Sequence, residues 1–120
     1  MSELLFCLLL VACRKDNESI VKPISMVPDP NDYFSGAEIT LLQNDDSGFY
    51  YMVKKFKEED FDKYVDACKS GIFTDVDYST INDAKKIYYI YDSEKKYRLE
   101  LTMNTESGIV NLICYVVNKQ

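Results

Sequence analysis

Between residues 97 and 104 the chain alternates cleanly. Tyr97, Leu99, Leu101 and Met103 point one way, and Arg98, Glu100, Thr102 and Asn104 the other. A period of two over this length predicts an antiparallel strand with one face buried and the other wet. Upstream, Ile39-Thr40-Leu41-Leu42 predicts a short strand. The turn cluster Asn44-Asp45-Asp46-Ser47-Gly48 follows it, and Phe49-Tyr50-Tyr51-Met52-Val53 forms the second arm of a hairpin. The period then changes. Phe61, Tyr64, Val65 and Cys68 fall at i, i+3, i+4 and i+7, the apolar stripe of a helix whose first turn carries Glu58, Glu59 and Asp60. Gly71 is expected to end that helix in the left-handed conformation, with Ile72 making the accompanying apolar contact. Beyond it, Thr74, Val76 and Tyr78 alternate with Asp75 and Asp77, and Lys86 to Tyr91 reads as another strand. A charged turn at 92–96 leads into the strand at 97–104, and Ile109 to Val117 closes the series. The order β-β-α-β-β-β-β with short turns implies an α+β fold: an antiparallel sheet with one helix packed on one face.

The N-terminal pattern is different. Leu4 to Ala12 is an unbroken apolar run that stops at Cys13, and Arg14-Lys15-Asp16-Asn17-Glu18-Ser19 follows at once. The run is far shorter than the roughly 20 residues of a spanning helix but suits the apolar region of a signal peptide. Leu10-Val11-Ala12-Cys13 resembles the lipobox of bacterial lipoproteins. That resemblance implies a diacylglycerol on the Cys13 sulfur, with Cys13 as the mature N-terminus and the outer face of the cell membrane as the location. Met1-Ser2-Glu3 lacks the basic start of a signal peptide, which a start assigned too late would explain. The expected division is 1–12 signal peptide, 13–32 lipid-anchored flexible linker and 33–120 a single α+β domain. Pro23, Pro28 and Pro30 punctuate the linker, although Ile20, Val21, Ile24, Met26 and Val27 offer the means to dock it on the domain. The competing reading is a cytoplasmic structural protein with residues 4–12 in its core.

From residue 45 to 117 the chain resembles a family of small, uncharacterised lipoproteins of Gram-positive bacteria. The resemblance rests on the Tyr-rich strand, on Glu58-Glu59-Asp60-Phe61-Asp62-Lys63-Tyr64-Val65-Asp66-Ala67-Cys68-Lys69-Ser70-Gly71, and on Tyr97-Arg98-Leu99-Glu100-Leu101. Ile72 intervenes between Gly71 and Phe73 where the pattern has glycine next to the aromatic residue, and Lys96 stands where it has a turn glycine. The resemblance implies no activity.

Composition narrows the chemistry. The net charge is −6 with Lys and Arg scattered, which leaves no basic footprint for nucleic acid. The chain has no His, so the commonest general base, the usual zinc ligand and the Ser-His and Cys-His pairs are missing. No catalytic constellation, metal site or cofactor is expected. Asp75 and Asp77, read as sharing a strand face, are the acids that a carboxylate-dependent cell-envelope enzyme would use, but they fit a solvated face better. Asn44 to Gly48 lacks the spaced acids of a calcium loop and reads as a hairpin turn. Cys68 and Cys114 are candidates for a disulfide in an exported protein, or for two small buried hydrophobes. Tyr88, Tyr89, Tyr91, Tyr97 and Tyr115 lie in neighbouring strands, and those turned away from the helix form a candidate binding surface for an envelope protein, peptide or glycan. The functional expectation is a lipid-anchored, non-catalytic binding module.

Overall fold

A computed structural model describes residues 22–117. The apolar run at 4–12, Cys7 and the lipidation candidate Cys13 lie outside the described residues. Six strands form one antiparallel sheet: β1 (Glu38–Asp45), β2 (Gly48–Lys54), β3 (Phe73–Ile81), β4 (Lys85–Asp92), β5 (Tyr97–Asn104) and β6 (Ile109–Val116). A single α-helix among the described residues, α1 (Glu58–Lys69), stands between β2 and β3. The fold is α+β, as the alternation implied.

The strand order is β1-β2-β6-β5-β4-β3. β3 to β6 run as a meander, and β6 returns to pair with β2, so the chain must cross from β2 to the far edge in one step. α1 makes that step. Twelve helical residues span about 18 Å, and the four strand spacings from β2 to β3 come to about 19 Å. Its stripe of Phe61, Tyr64, Val65 and Cys68 is buried against Phe49, Tyr51 and Val53 of β2, Leu99, Leu101 and Met103 of β5, and Val110, Leu112 and Cys114 of β6. Lys86 of β4 fastens the other flank of the helix, with its ammonium 2.7 Å from Asp62 and 3.0 Å from Glu58.

The helix ends differently from expectation. Gly71 is not left-handed: the Gly71 N–H donates to the Cys68 carbonyl oxygen, a tight 3₁₀-type closure, and Ile72 is left exposed. The left-handed residues are instead Lys55 after β2 and Lys95 in the β4–β5 turn, both with φ of 57°, together with Gly36 and Gly108.

The described part of the expected linker packs on the domain. Pro23–Met26 and Pro30–Asp32 form short 3₁₀ turns, and Pro23 and Pro30 are buried. Ile24, Met26 and Val27 lie against the core, and the Tyr64 hydroxyl donates to the Pro28 carbonyl oxygen at 2.8 Å. Tyr33 and Phe34 close around the Tyr64 ring, with centroids 5.6 and 5.7 Å away. Docking of the apolar linker residues therefore describes Ile24, Met26 and Val27, whereas Ile20 and Val21 lie outside the described residues.

Candidate functional site

With one sheet face closed by α1, the other is open, and the register sorts its side chains into rows. Asp75, Tyr91, Arg98, Tyr115 and Gly48 form one row across β3, β4, β5, β6 and β2. The next contains Tyr78, Tyr89, Glu100, Ile113 and Tyr50. Arg98 sits where the rows meet. Its guanidinium lies 4.5 Å from the Tyr89 ring centroid and 5.5 Å from that of Tyr91, inside cation–π range. Its Nε donates to Glu100 Oε2 at 2.8 Å, and its Nη1 donates to the Tyr91 hydroxyl oxygen at 2.9 Å. Glu100 Oε2 also accepts from the Tyr115 hydroxyl at 3.2 Å. Partial burial works against the Arg98 charge, but the hydrogen bonds with Tyr91 and Glu100 outweigh it and hold its pKa above the ordinary value. Burial first, and then the Glu100 carboxylate, push the Tyr115 hydroxyl up.

Aromatic surface extends outward from this network. The Tyr78 ring lies 5.4 Å from that of Tyr89 at 30°, and its hydroxyl accepts from Thr80 Oγ1 at 2.6 Å. Lys95 lies over Tyr91 at 5.3 Å and reaches Asp75 at 3.5 Å. Tyr78 is 47% exposed and Tyr115 38%.

Of the five tyrosines singled out from the sequence, the structure brings Tyr89, Tyr91 and Tyr115 together on the open face. Tyr88 and Tyr97 point the other way and pack against the core, and the Tyr88 ring stands 6.3 Å from Phe61 of the helix. Tyr78 takes their place. Simple alternation sets it with Val76, opposite Asp75. Register shifts between Phe73 and Asp75 and between Val76 and Tyr78 put Asp75 and Tyr78 on one face instead. The expected pairing of Asp75 with Asp77 is lost by the same shift: Asp75 is ion-paired with Lys95, and Asp77 falls in the bulge. Arg98 and Glu100 read from the sequence only as the wet side of a strand. The available signal was opposite charges two residues apart between tyrosine-bearing strands, which places them side by side on one face.

Cys68 and Cys114 are both buried free thiols, and burial pushes each pKa up to about 12. They behave as core hydrophobes rather than nucleophiles. The Asn44–Gly48 cluster is a hairpin turn in which Asp45 Oδ1 accepts from the Ser47 hydroxyl and from the Ser47 and Gly48 N–H groups. Among the described residues, no three acids or cysteines are grouped to hold a metal ion, and no helix is long and apolar enough to cross a membrane.

No protein-family model, curated protein or solved structure matches this chain.

Proposed function

We propose that this is a non-catalytic binding module held at the outer face of a bacterial membrane through a lipid on Cys13, and that its open sheet face recognises an envelope polysaccharide. The observation that carries the reading is the ordered Tyr89–Arg98–Tyr91 stack, with Tyr78 and Tyr115 exposed beside it. Tyrosine offers a flat apolar ring for the C–H face of a sugar and a hydroxyl for hydrogen bonding at its rim. Because hydrogen bonds and the guanidinium already fix these rings, binding sacrifices little side-chain freedom. The acidic balance of the chain disfavours adhesion to anionic lipid, in keeping with a covalent anchor.

Two measurements test the proposal. The mass of the protein isolated from its own host should lack residues 1–12 and carry a lipid adduct on Cys13, whereas an unmodified chain from Met1 removes the anchor. In co-sedimentation with isolated envelope polysaccharide, Tyr78→Ala combined with Tyr115→Ala should lower retention about tenfold or more. Unchanged retention by that folded double variant would reject the open face as the recognition surface.

A further inference from the structure

Beyond the tyrosine rows, toward the β5–β6 turn, the open face sinks into a trough of ≈ 300 Å³. Its origin is the choice of side chains. The central strand β5 contributes the short Thr102 and Asn104 as the floor, while Ile87 of β4 and Ile109 of β6 rise on either side. Lys85, Ser107 and Asn111 complete the rim. This volume lies at the lower end of small-molecule sites, larger than a bare ion requires.

The polar groups are biased in one direction. Asn104 Oδ1 accepts from the Glu106 and Ser107 N–H groups, and Asn111 Oδ1 accepts from the Tyr50 hydroxyl at 2.7 Å. Both amide oxygens are thus occupied, and both NH₂ groups remain without a partner among the described residues. The Lys85 ammonium has no ion pair there either, and no carboxylate lines the trough. The nearest acid on that face of β5 is Glu100, which is held by Arg98 and Tyr115. A chain of net charge −6 therefore carries a concave site that offers donors and a cation between two aliphatic walls.

We infer that this trough binds one carboxylated pyranose unit of an acidic polysaccharide. Lys85 meets the carboxylate, the Asn104 and Asn111 amides donate to ring and hydroxyl oxygens, and Ile87 and Ile109 cover the C–H faces. A lone phosphate would leave the two isoleucine walls unused. The inference rests on reading the open face as a polysaccharide surface and assigns the charged subsite within it.

The test is a titration of the full, ¹⁵N-labelled chain with glucuronate, glucose, N-acetylalanine and inorganic phosphate, followed by amide chemical shifts. Glucuronate should give saturable shifts at residues 85–87 and 102–111, with glucose about tenfold weaker or more. Lys85→Met, an exposed change that leaves the core intact, should weaken glucuronate by a similar factor and leave glucose unchanged. Equal binding of phosphate would reduce the trough to a simple anion site, and equal binding of N-acetylalanine would replace the saccharide with a peptide carboxylate. Either result overturns the inference, as does the absence of saturable shifts with glucuronate. If polysaccharide retention falls in the Tyr78/Tyr115 double variant but not in Lys85→Met, the trough assignment fails while the wider open-face reading stands.

Discussion

Gly48 shows how one position can be constrained by a strand far away in the chain. It follows the turn built on Asp45 and enters β2 opposite Tyr115 of β6. Its φ is unremarkable, but a Cβ built there would collide with the carbonyl oxygen of Cys114. Two backbones approach at this point because no side chain separates them. Gly48→Ala must push β6 away from β2 and is expected to cost about 1–3 kcal/mol, read from the midpoint of denaturant unfolding at an unchanged slope. The turn itself was legible, since Asn, Asp, Ser and Gly in a cluster supply an Asx-type turn whatever the tertiary context. The reason for Gly48 was not, because the clash is with β6. Gly71 carries the same lesson in reverse. Glycine after a helix suggests a left-handed residue, yet here the chain turns directly into β3 and the positive φ falls on Lys55 and Lys95.

At the scale of elements, the segment before β1 shares the helix's side of the sheet, with Pro23–Met26 packed against β2 and β6. Its contact with α1 centres on Tyr64, whose buried hydroxyl donates to Pro28 while Tyr33 and Phe34 flank the ring. Burial pushes that hydroxyl's pKa well up, so it serves as a permanent donor. Tyr64→Phe keeps the ring and strands the Pro28 carbonyl. The Tyr33 and Phe34 amides should then exchange about fivefold faster, reflecting roughly 1 kcal/mol, while Leu101 and Leu112 in the sheet change less. A uniform change across both sets would show that the segment does not open separately. Proline spacing suggested a tether in this region because prolines break periodicity. The apolar residues between them were the sign of docking, but only a receiving surface decides which tendency wins. Strand β3 was misread for a related reason. Its bulges change which residues share a face, and in a strand with polar and apolar residues on both sides no period reveals the extra residue. The Tyr88-Tyr89 ambiguity has the same root, since consecutive tyrosines satisfy either face of β4 until the helix claims one.

For the molecule as a whole, helix and sheet meet at a core that contains Cys68 and Cys114 with protons held to about 12, against 9.0 for an ordinary thiol. The folded pKa is the higher one, so the unfolded chain gains thiolate first. Stability from this source is complete below pH 9 and is lost as pH rises from 9 toward 12, by at most about 1.4 kcal/mol per pH unit for each thiol. A Cys68→Ala, Cys114→Ala double variant should start less stable and lose less across that window, as thermal unfolding at a series of pH values would show. A parallel fall in both proteins would assign the alkaline loss to other groups. Element order was readable because each strand is an apolar or aromatic run bounded by turn residues. The strand sequence β1-β2-β6-β5-β4-β3 was not, since it depends on the length of α1 matching the width of the sheet.

The docked segment also sets how the domain would respond to force. Tension between Lys22 and a ligand on the open face would act first on the docked segment, where Pro23–Met26 packs against β2 and β6, and then on the Pro28–Tyr64 junction. The segment is held by side-chain packing and by the Pro28–Tyr64 hydrogen bond rather than by strand pairing, so it would yield before the strand ladders. Peeling residues 23–33 would release roughly 40 Å of extended chain and leave the core residue Phe34 in place. The same residues that cap the helix at rest would then act as an extensible leash, letting the binding face follow a moving partner without unfolding.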